Sequence, residues 1–177
     1  MKLGLPFVVD TNVLLVANEQ HPGVSPECVI ACIEALENLR LRGVVVIDDQ
    51  YEILSEYRQR TSPNTGNRVG DAFLKWLYQN SGNPDRVECV RIEQHSRRGY
   101  VGFPEDEDLD NFDRADRKFV AVASVHSDRP LILQAADSRW TQWAGSLAKH
   151  GISVQFLCPE DIARFALRRE RRAAKGY

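Results

Sequence analysis

Long apolar runs are missing from this chain: no stretch approaches the ~20 residues that a membrane-spanning helix requires. The N-terminal MKLGLPFVVD is interrupted by Pro6 and Asp10 before a signal-peptide core can form. A cytoplasmic location with no membrane partner is the expectation. Cysteine is scarce, and Cys28, Cys32, Cys89 and Cys158 include no CxxC pair. Cys28 and Cys32 fall four apart in a helical pattern with no histidine at a matching spacing, which speaks against a zinc site. The cysteines read instead as buried free thiols in a reducing compartment. The four histidines, His21, His95, His126 and His150, also lack ligand spacing and read as structural or exposed. Neither sign of charge is in excess: 23 basic residues against 25 acidic ones give −2, which decides nothing about a nucleic-acid partner. No internal repeat or low-complexity linker divides the 177 residues, a length suited to one substantial domain.

What is present is a regular alternation. PFVVD (6–10) reads as a strand and NVLLVAN as the start of a short helix. SPECVIACIEALENLRLRG follows, with Ser25 as N-cap, Pro26 at the first helical position and Gly43 at the stop. The β-branched VVVID (44–48) is a second strand, and 49–60 a second long helix. TSPNTGNR (61–68) is turn chemistry. A helix over 70–80, a strand over 87–92 and a polar segment over 94–111 come next. The pattern closes with a helix over 111–127, the strand LILQ (131–134), a helix from Ser138, the strand ISVQFL (152–157) and a helix over 159–175. Strands rich in Val, Ile and Leu between helices predict an α/β fold: a central parallel sheet of about five strands with helices on both faces.

In such sheets the working site lies beyond the carboxyl ends of the strands. Asp10 closes the first strand, and Asp137 follows LILQ after two alanines. Each has a bland reading as a helix N-cap, since Asn12 and Ser138 follow closely. Asp116 is harder to dismiss, because helical spacing puts it on one face with Phe112, Phe119, Val120 and Ala123. Arg117 and Lys118, adjacent in sequence, should face away from it. A fourth acid is Glu56, beside Ile53 and Tyr57 on the inner side of its helix, with Glu52 one turn earlier as the alternative. Bare carboxylates converging on one edge would repel, and a hard divalent cation with oxygen ligands, Mg²⁺ or Mn²⁺, resolves this. Two such ions about 4 Å apart can orient a water for in-line displacement at a phosphodiester.

The order VVDTNVLL, a helical Glu, DRKFVAVA, then a strand and AADSRW resembles the PIN-domain nucleases over about residues 6–157. The resemblance implies a single PIN-like domain acting as a metal-dependent endoribonuclease, with water as the nucleophile. It assigns Asp10, Glu56, Asp116 and Asp137 as catalytic metal ligands, supported by Thr11, Asn12 and Ser138. Asp113, one turn before Asp116, joins them as a possible further ligand. Where the family often has Thr two residues before its last Asp, this chain has Ala135. The implied partners are an RNA substrate and, for a toxin of a toxin–antitoxin pair, an antitoxin protein and a second copy of the chain.

Cations for the RNA backbone are offered by the last helix, with Arg164, Arg168, Arg171, Arg172 and Lys175, and by Arg58, Arg60 and Arg68, which flank the Glu56 helix and the loop after it. Arg97 and Arg98 precede Tyr100, a pairing suited to an exposed base. Trp76, Trp140 and Trp143 read as packing residues. The acidic run 105–110 should face solvent, or else dock a basic partner or keep RNA out of the site until displaced. Two other classes stay open: a non-catalytic PIN-like domain that binds RNA or protein, and a phosphatase with an Asp nucleophile. The phosphatase lacks a second acid, since Asn12 stands where it would need one.

Overall fold

A computed structural model of the protein describes residues 4–174. The first half of the chain comprises β1 (Pro6–Val9), α1 (Thr11–Ala17), α2 (Pro26–Arg42), β2 (Val44–Asp48), α3 (Glu52–Arg60), α4 (Val69–Asn80) and β3 (Val87–Val90). A small hairpin, β4 (Gln94–His95) and β5 (Gly99–Tyr100), and a 3₁₀ turn at Glu107–Leu109 follow. The second half contains α5 (Arg117–Val125), β6 (Leu131–Gln134), α6 (Trp140–Lys149), β7 (Val154–Phe156) and α7 (Pro159–Ala174).

Five strands form one all-parallel sheet in the order β3-β2-β1-β6-β7. The chain winds outward from β1 to β3, then crosses back to lay β6 on the other side of β1. With right-handed crossovers this puts the helices of the first half on one face and α5 and α6 on the other. The contacts agree: α1, α2 and α4 pack together, while α5 lies against β1, β2 and β6. Because both faces are covered, the strands are apolar at nearly every position, and Val8, Val9, Val46, Ile47 and Ile132 sit in one core with Leu36, Phe73, Phe119 and Trp140.

Local signals held where they were strongest. Ser25 caps α2 by accepting from the Cys28 backbone N–H (3.2 Å), Pro26 opens the helix and Gly43 ends it. Gly70 lets α4 approach α1, since a Cβ there would lie 2.5 Å from the Leu14 carbonyl oxygen.

Two expectations are corrected and a third is extended. The helix expected over 111–127 begins only at Arg117 and ends at Val125. The buried Arg117 side chain holds the preceding segment as a turn. It donates to the carbonyls of Asp110 (2.8 Å), Phe112 (3.1 Å) and Arg98 (3.1 Å), and lies over the Phe103 ring. The cysteines are not all free thiols: Cys28 and Cys158 form a disulfide that ties the start of α2 to the start of α7. Cys32 is free and buried, and Cys89 is free but exposed. Disulfides persist in oxidising surroundings, so this bond runs against the argument from a reducing compartment. The acidic run also does more than face solvent. Asp106 pairs with His150 (2.9 Å) and Asp108 with Lys149 (3.2 Å), anchoring the run to the end of α6.

No helix among the described residues is long and apolar enough to cross a membrane.

Candidate acidic site at the carboxyl edge of the sheet

The direction of winding reverses between β1 and β6, and a crevice opens at such a switch point beyond the strand ends. Asp10 follows β1 and Asp137 follows β6, so the two acids flank it. The Asp10 backbone N–H donates to the Leu133 carbonyl (2.9 Å), which keeps the adjoining strand ends in register.

Asp10 is 2% exposed. One carboxylate oxygen caps α1, accepting from the Asn12 backbone N–H (2.8 Å). That bond favours the charged form but is outweighed. Burial lifts the Asp10 pKa well above the usual range, and the charges of Asp116, Glu56 and Asp137 push it further. Asp116 occupies the capping position of α5 without making a side-chain cap bond. Its pKa is raised to about 6, chiefly by burial, then by Asp113, Glu56 and Asp137. The Trp140 indole N–H donates to it (3.2 Å) and opposes that shift.

Glu56 reaches the same place from α3. It accepts from the Thr11 hydroxyl on one oxygen and pairs with Lys118 on the other. Beside it, the buried Tyr57 hydroxyl donates to the Val9 carbonyl. Burial raises the Tyr57 pKa, with Asp10, Glu56 and Asp48 adding to the effect. Glu52 turns away to the small hairpin, where it accepts from Tyr100 and from Gln94 (2.8 Å). The structure therefore brings Glu56, not Glu52, to the acids. Asp137 is held by Arg139, whose Nη2 lies 2.8 Å from Oδ2 and whose Nε donates to Oδ1 (3.2 Å). Arg139 also reaches Asp113 (3.5 Å).

Lys118 is the clearest departure from sequence reasoning. It makes no ion pair with Asp116, as expected, but it is buried and pairs with Glu56, a partner the sequence did not suggest, with the Ala115 carbonyl as a further acceptor. The helix starts later than its hydrophobic pattern suggests, so the face assigned to its first turn is not the one adopted. Arg139 and Trp140 were likewise missed as partners of the acids, although both stand next to Asp137 in the motif ADSRW.

The supporting residues fall in place unevenly. Thr11 bridges to Glu56. Asn12 contributes its backbone N–H. Ser138 is buried and accepts from Arg169 of α7 (3.4 Å), an arginine not singled out from sequence. Among the expected nucleic-acid contacts, Arg164 is engaged within the fold, by Asp161 and by the Gly23 carbonyl (2.7 Å). Arg58, Arg168 and Arg172 are exposed, and Lys175 lies outside the described residues.

The carboxylates offer hard oxygen donors, the chemistry that Mg²⁺ or Mn²⁺ takes. They are not drawn into a tight shell. Among the described residues, Cys28, Cys32 and Cys158 form the one group of three or more His, Cys, Asp or Glu with ligand atoms all within 4.8 Å of one another. In that group two sulfurs are joined to each other, and burial pushes the remaining Cys32 thiol up to about 12. Comparison with protein-family models, with curated proteins and with solved structures found no match to this chain.

Proposed function

We propose that the acidic edge is the active site of a metal-dependent endoribonuclease of the PIN type. The observation that carries this reading is Asp10: a buried carboxylate with one hydrogen bond, facing three further acids that all raise its pKa. A buried charge without a counter-charge is costly, and the single cap bond that Asp10 makes does not offset the three acids that face it, whereas a bound cation does. Asp10 and Asp116 would hold it, with Glu56 and Asp137 on either side. When bound, a Mg²⁺ or Mn²⁺ ion supplies Lewis acidity toward the phosphate and lowers the pKa of a bound water.

The chain's own residues do the positioning. Thr11 and Lys118 fix the Glu56 carboxylate, the Trp140 indole orients Asp116, and Arg139 sets Asp137. Hydrolysis joins a water oxygen to phosphorus and breaks one P–O ester bond, the water's proton passing to solvent or to a carboxylate and the leaving oxygen taking up a proton. Arg58, Arg168, Arg169 and Arg172 supply cationic surface for the RNA backbone. A cytoplasmic location in this reading requires the Cys28–Cys158 pair to be reduced there, against the disulfide that the structure shows. A role as the toxin of a toxin–antitoxin pair, with an antitoxin and a homodimer, rests on the family resemblance alone.

One observation favours the competing reading, a non-catalytic PIN-like domain that binds RNA or protein. Glu56 and Asp137 already carry cationic partners in Lys118 and Arg139, which leaves fewer acids for a metal. The two separate in a cleavage assay on mixed structured and single-stranded RNA with Mn²⁺, Mg²⁺ or EDTA, beside Asp116→Asn. A nuclease cleaves only with metal and loses activity in the variant. A folded protein that binds RNA and cleaves none of it in either metal supports the binding domain.

A further inference from the structure

Four carboxylates meet at the carboxyl edge, but two of them are already answered from within the chain. Lys118 is 7% exposed at its side chain and pairs with Glu56. Its ammonium also donates to the Ala115 carbonyl and lies 4.9 Å from the centre of the Phe119 ring, so it has little freedom to swing away. Arg139 grips Asp137 through both Nη2 (2.8 Å) and Nε (3.2 Å), a two-point contact that a single rotation does not undo. Among the described residues, neither Asp10 nor Asp116 forms an ion pair with a base, though the Arg139 charge is felt at Asp116. Asp10 accepts from a backbone N–H and Asp116 from an indole N–H, both neutral donors.

Counting charges at the site, Asp10, Glu56, Asp116, Asp137 and Asp113, which Arg139 also reaches, bring five negative charges and the two bases return two. What remains is three negative charges; one divalent cation held by Asp10 and Asp116 leaves a single charge, on Asp113 at the rim, whose side chain is 39% exposed. A second divalent ion would have to displace a buried ammonium from Glu56 or break the Arg139 fork, and would leave the site with surplus positive charge. We propose that Lys118 and Arg139 are built-in counter-ions that reserve Glu56 and Asp137, so that the site takes up a single divalent cation, held by Asp10 and Asp116. Lys118 then supplies at Glu56 the positive charge that a second ion would otherwise bring. It is a positioning residue, fixing Glu56 and supplying a fixed positive charge beside the reacting phosphate. This inference rests on the metal-dependent reading above and states how that reading is realised in this chain.

The test counts ions without measuring activity. Purified full-length protein, stripped with EDTA and dialysed, is titrated with Mn²⁺ by calorimetry, with free Mn²⁺ checked by electron paramagnetic resonance. One ion per chain in the wild type, and a second, weaker one in Lys118→Met, is the expected result. Lys118→Arg keeps the charge and should stay at one. Arg139→Met, at a side chain 54% exposed and so tolerant of change, should bind its one ion several-fold more tightly as Asp137 is released. That variant keeps the proposal open to refutation should Lys118→Met not fold. Two ions in the wild type overturn the inference and leave metal dependence standing. One ion in a folded Lys118→Met overturns the role of Lys118. No Mn²⁺ uptake by folded wild type overturns the metal-dependent reading itself, and the inference with it.

Discussion

Asp10 and Asp48 end neighbouring strands of the same sheet, and both are buried, yet their surroundings differ in kind. Asp48 closes β2 with both oxygens occupied, accepting from the backbone N–H groups of Glu52 (2.7 Å) and Ile53 (2.9 Å) at the start of α3. Asp10 closes β1 with one such bond and three acids nearby. The other buried aspartates resemble Asp48. Asp71 accepts from Ser62 (2.8 Å) and Asn18 (3.0 Å), and Asp161 from the Ser25 backbone and hydroxyl while pairing with Arg164. A buried carboxylate is therefore ordinary in this protein when the fold supplies its donors. Asp10 is the one for which the fold supplies repulsion, and that singles it out as the candidate functional acid.

The contrast breaks most visibly by substitution at the two sites. Asp116→Asn should lower metal-dependent RNA cleavage by a factor on the order of 100 or more, since the groups that stabilise developing charge account for losses of that size. Gel assays at matched folded protein check this. Reducing the Cys28–Cys158 bridge should leave Mn²⁺ binding unchanged and cost about 2–5 kcal/mol of stability, as removal of a native disulfide does elsewhere. Chemical denaturation with and without reductant reads it. Asp48→Asn should cost about 1–3 kcal/mol by leaving buried N–H groups with a weaker acceptor, again with no change in metal affinity.

The smallest effect is one of pH. The Asp116 pKa is raised to about 6, so in EDTA the folded chain holds a proton there that the unfolded chain has released. Stability from this group is therefore present below the unfolded value near 4 and falls as pH rises toward 6, because the native state binds more protons. Thermal melts in EDTA between pH 4 and pH 7 should show this decline in the wild type and a shallower one in Asp116→Asn.

Much of the scaffold was legible in sequence because it rests on short-range signals. The Val-rich strands, the Ser25–Pro26 helix start and the acids after β1 and β6 are each read within a few residues. What was hidden depends on contacts across the chain. Arg117 reads as a surface cation but is buried, because four carbonyls and the Phe103 ring converge on it and hold the segment before α5 as a turn. Cys28 and Cys158 lie 130 residues apart, and spacing alone does not pair cysteines. The choice between Glu52 and Glu56 was settled by Tyr100, on a hairpin that reads as plain polar chain.

The most direct test of the central claim, that Asp10 is a buried charge awaiting a cation, is thermal melting of wild type and Asp10→Asn in EDTA and in excess Mn²⁺ at pH 7. A bound ion stabilises the native state by RT ln(1 + [L]/Kd), roughly 2.7 kcal/mol at a hundredfold excess over Kd. The wild type should therefore melt several degrees higher with Mn²⁺. Asp10→Asn, relieved of the repulsion, should melt at or above the wild type in EDTA and respond little to metal. A wild type indifferent to Mn²⁺, with Asp10→Asn melting well below it, would contradict the account and make Asp10 a structural cap like Asp48.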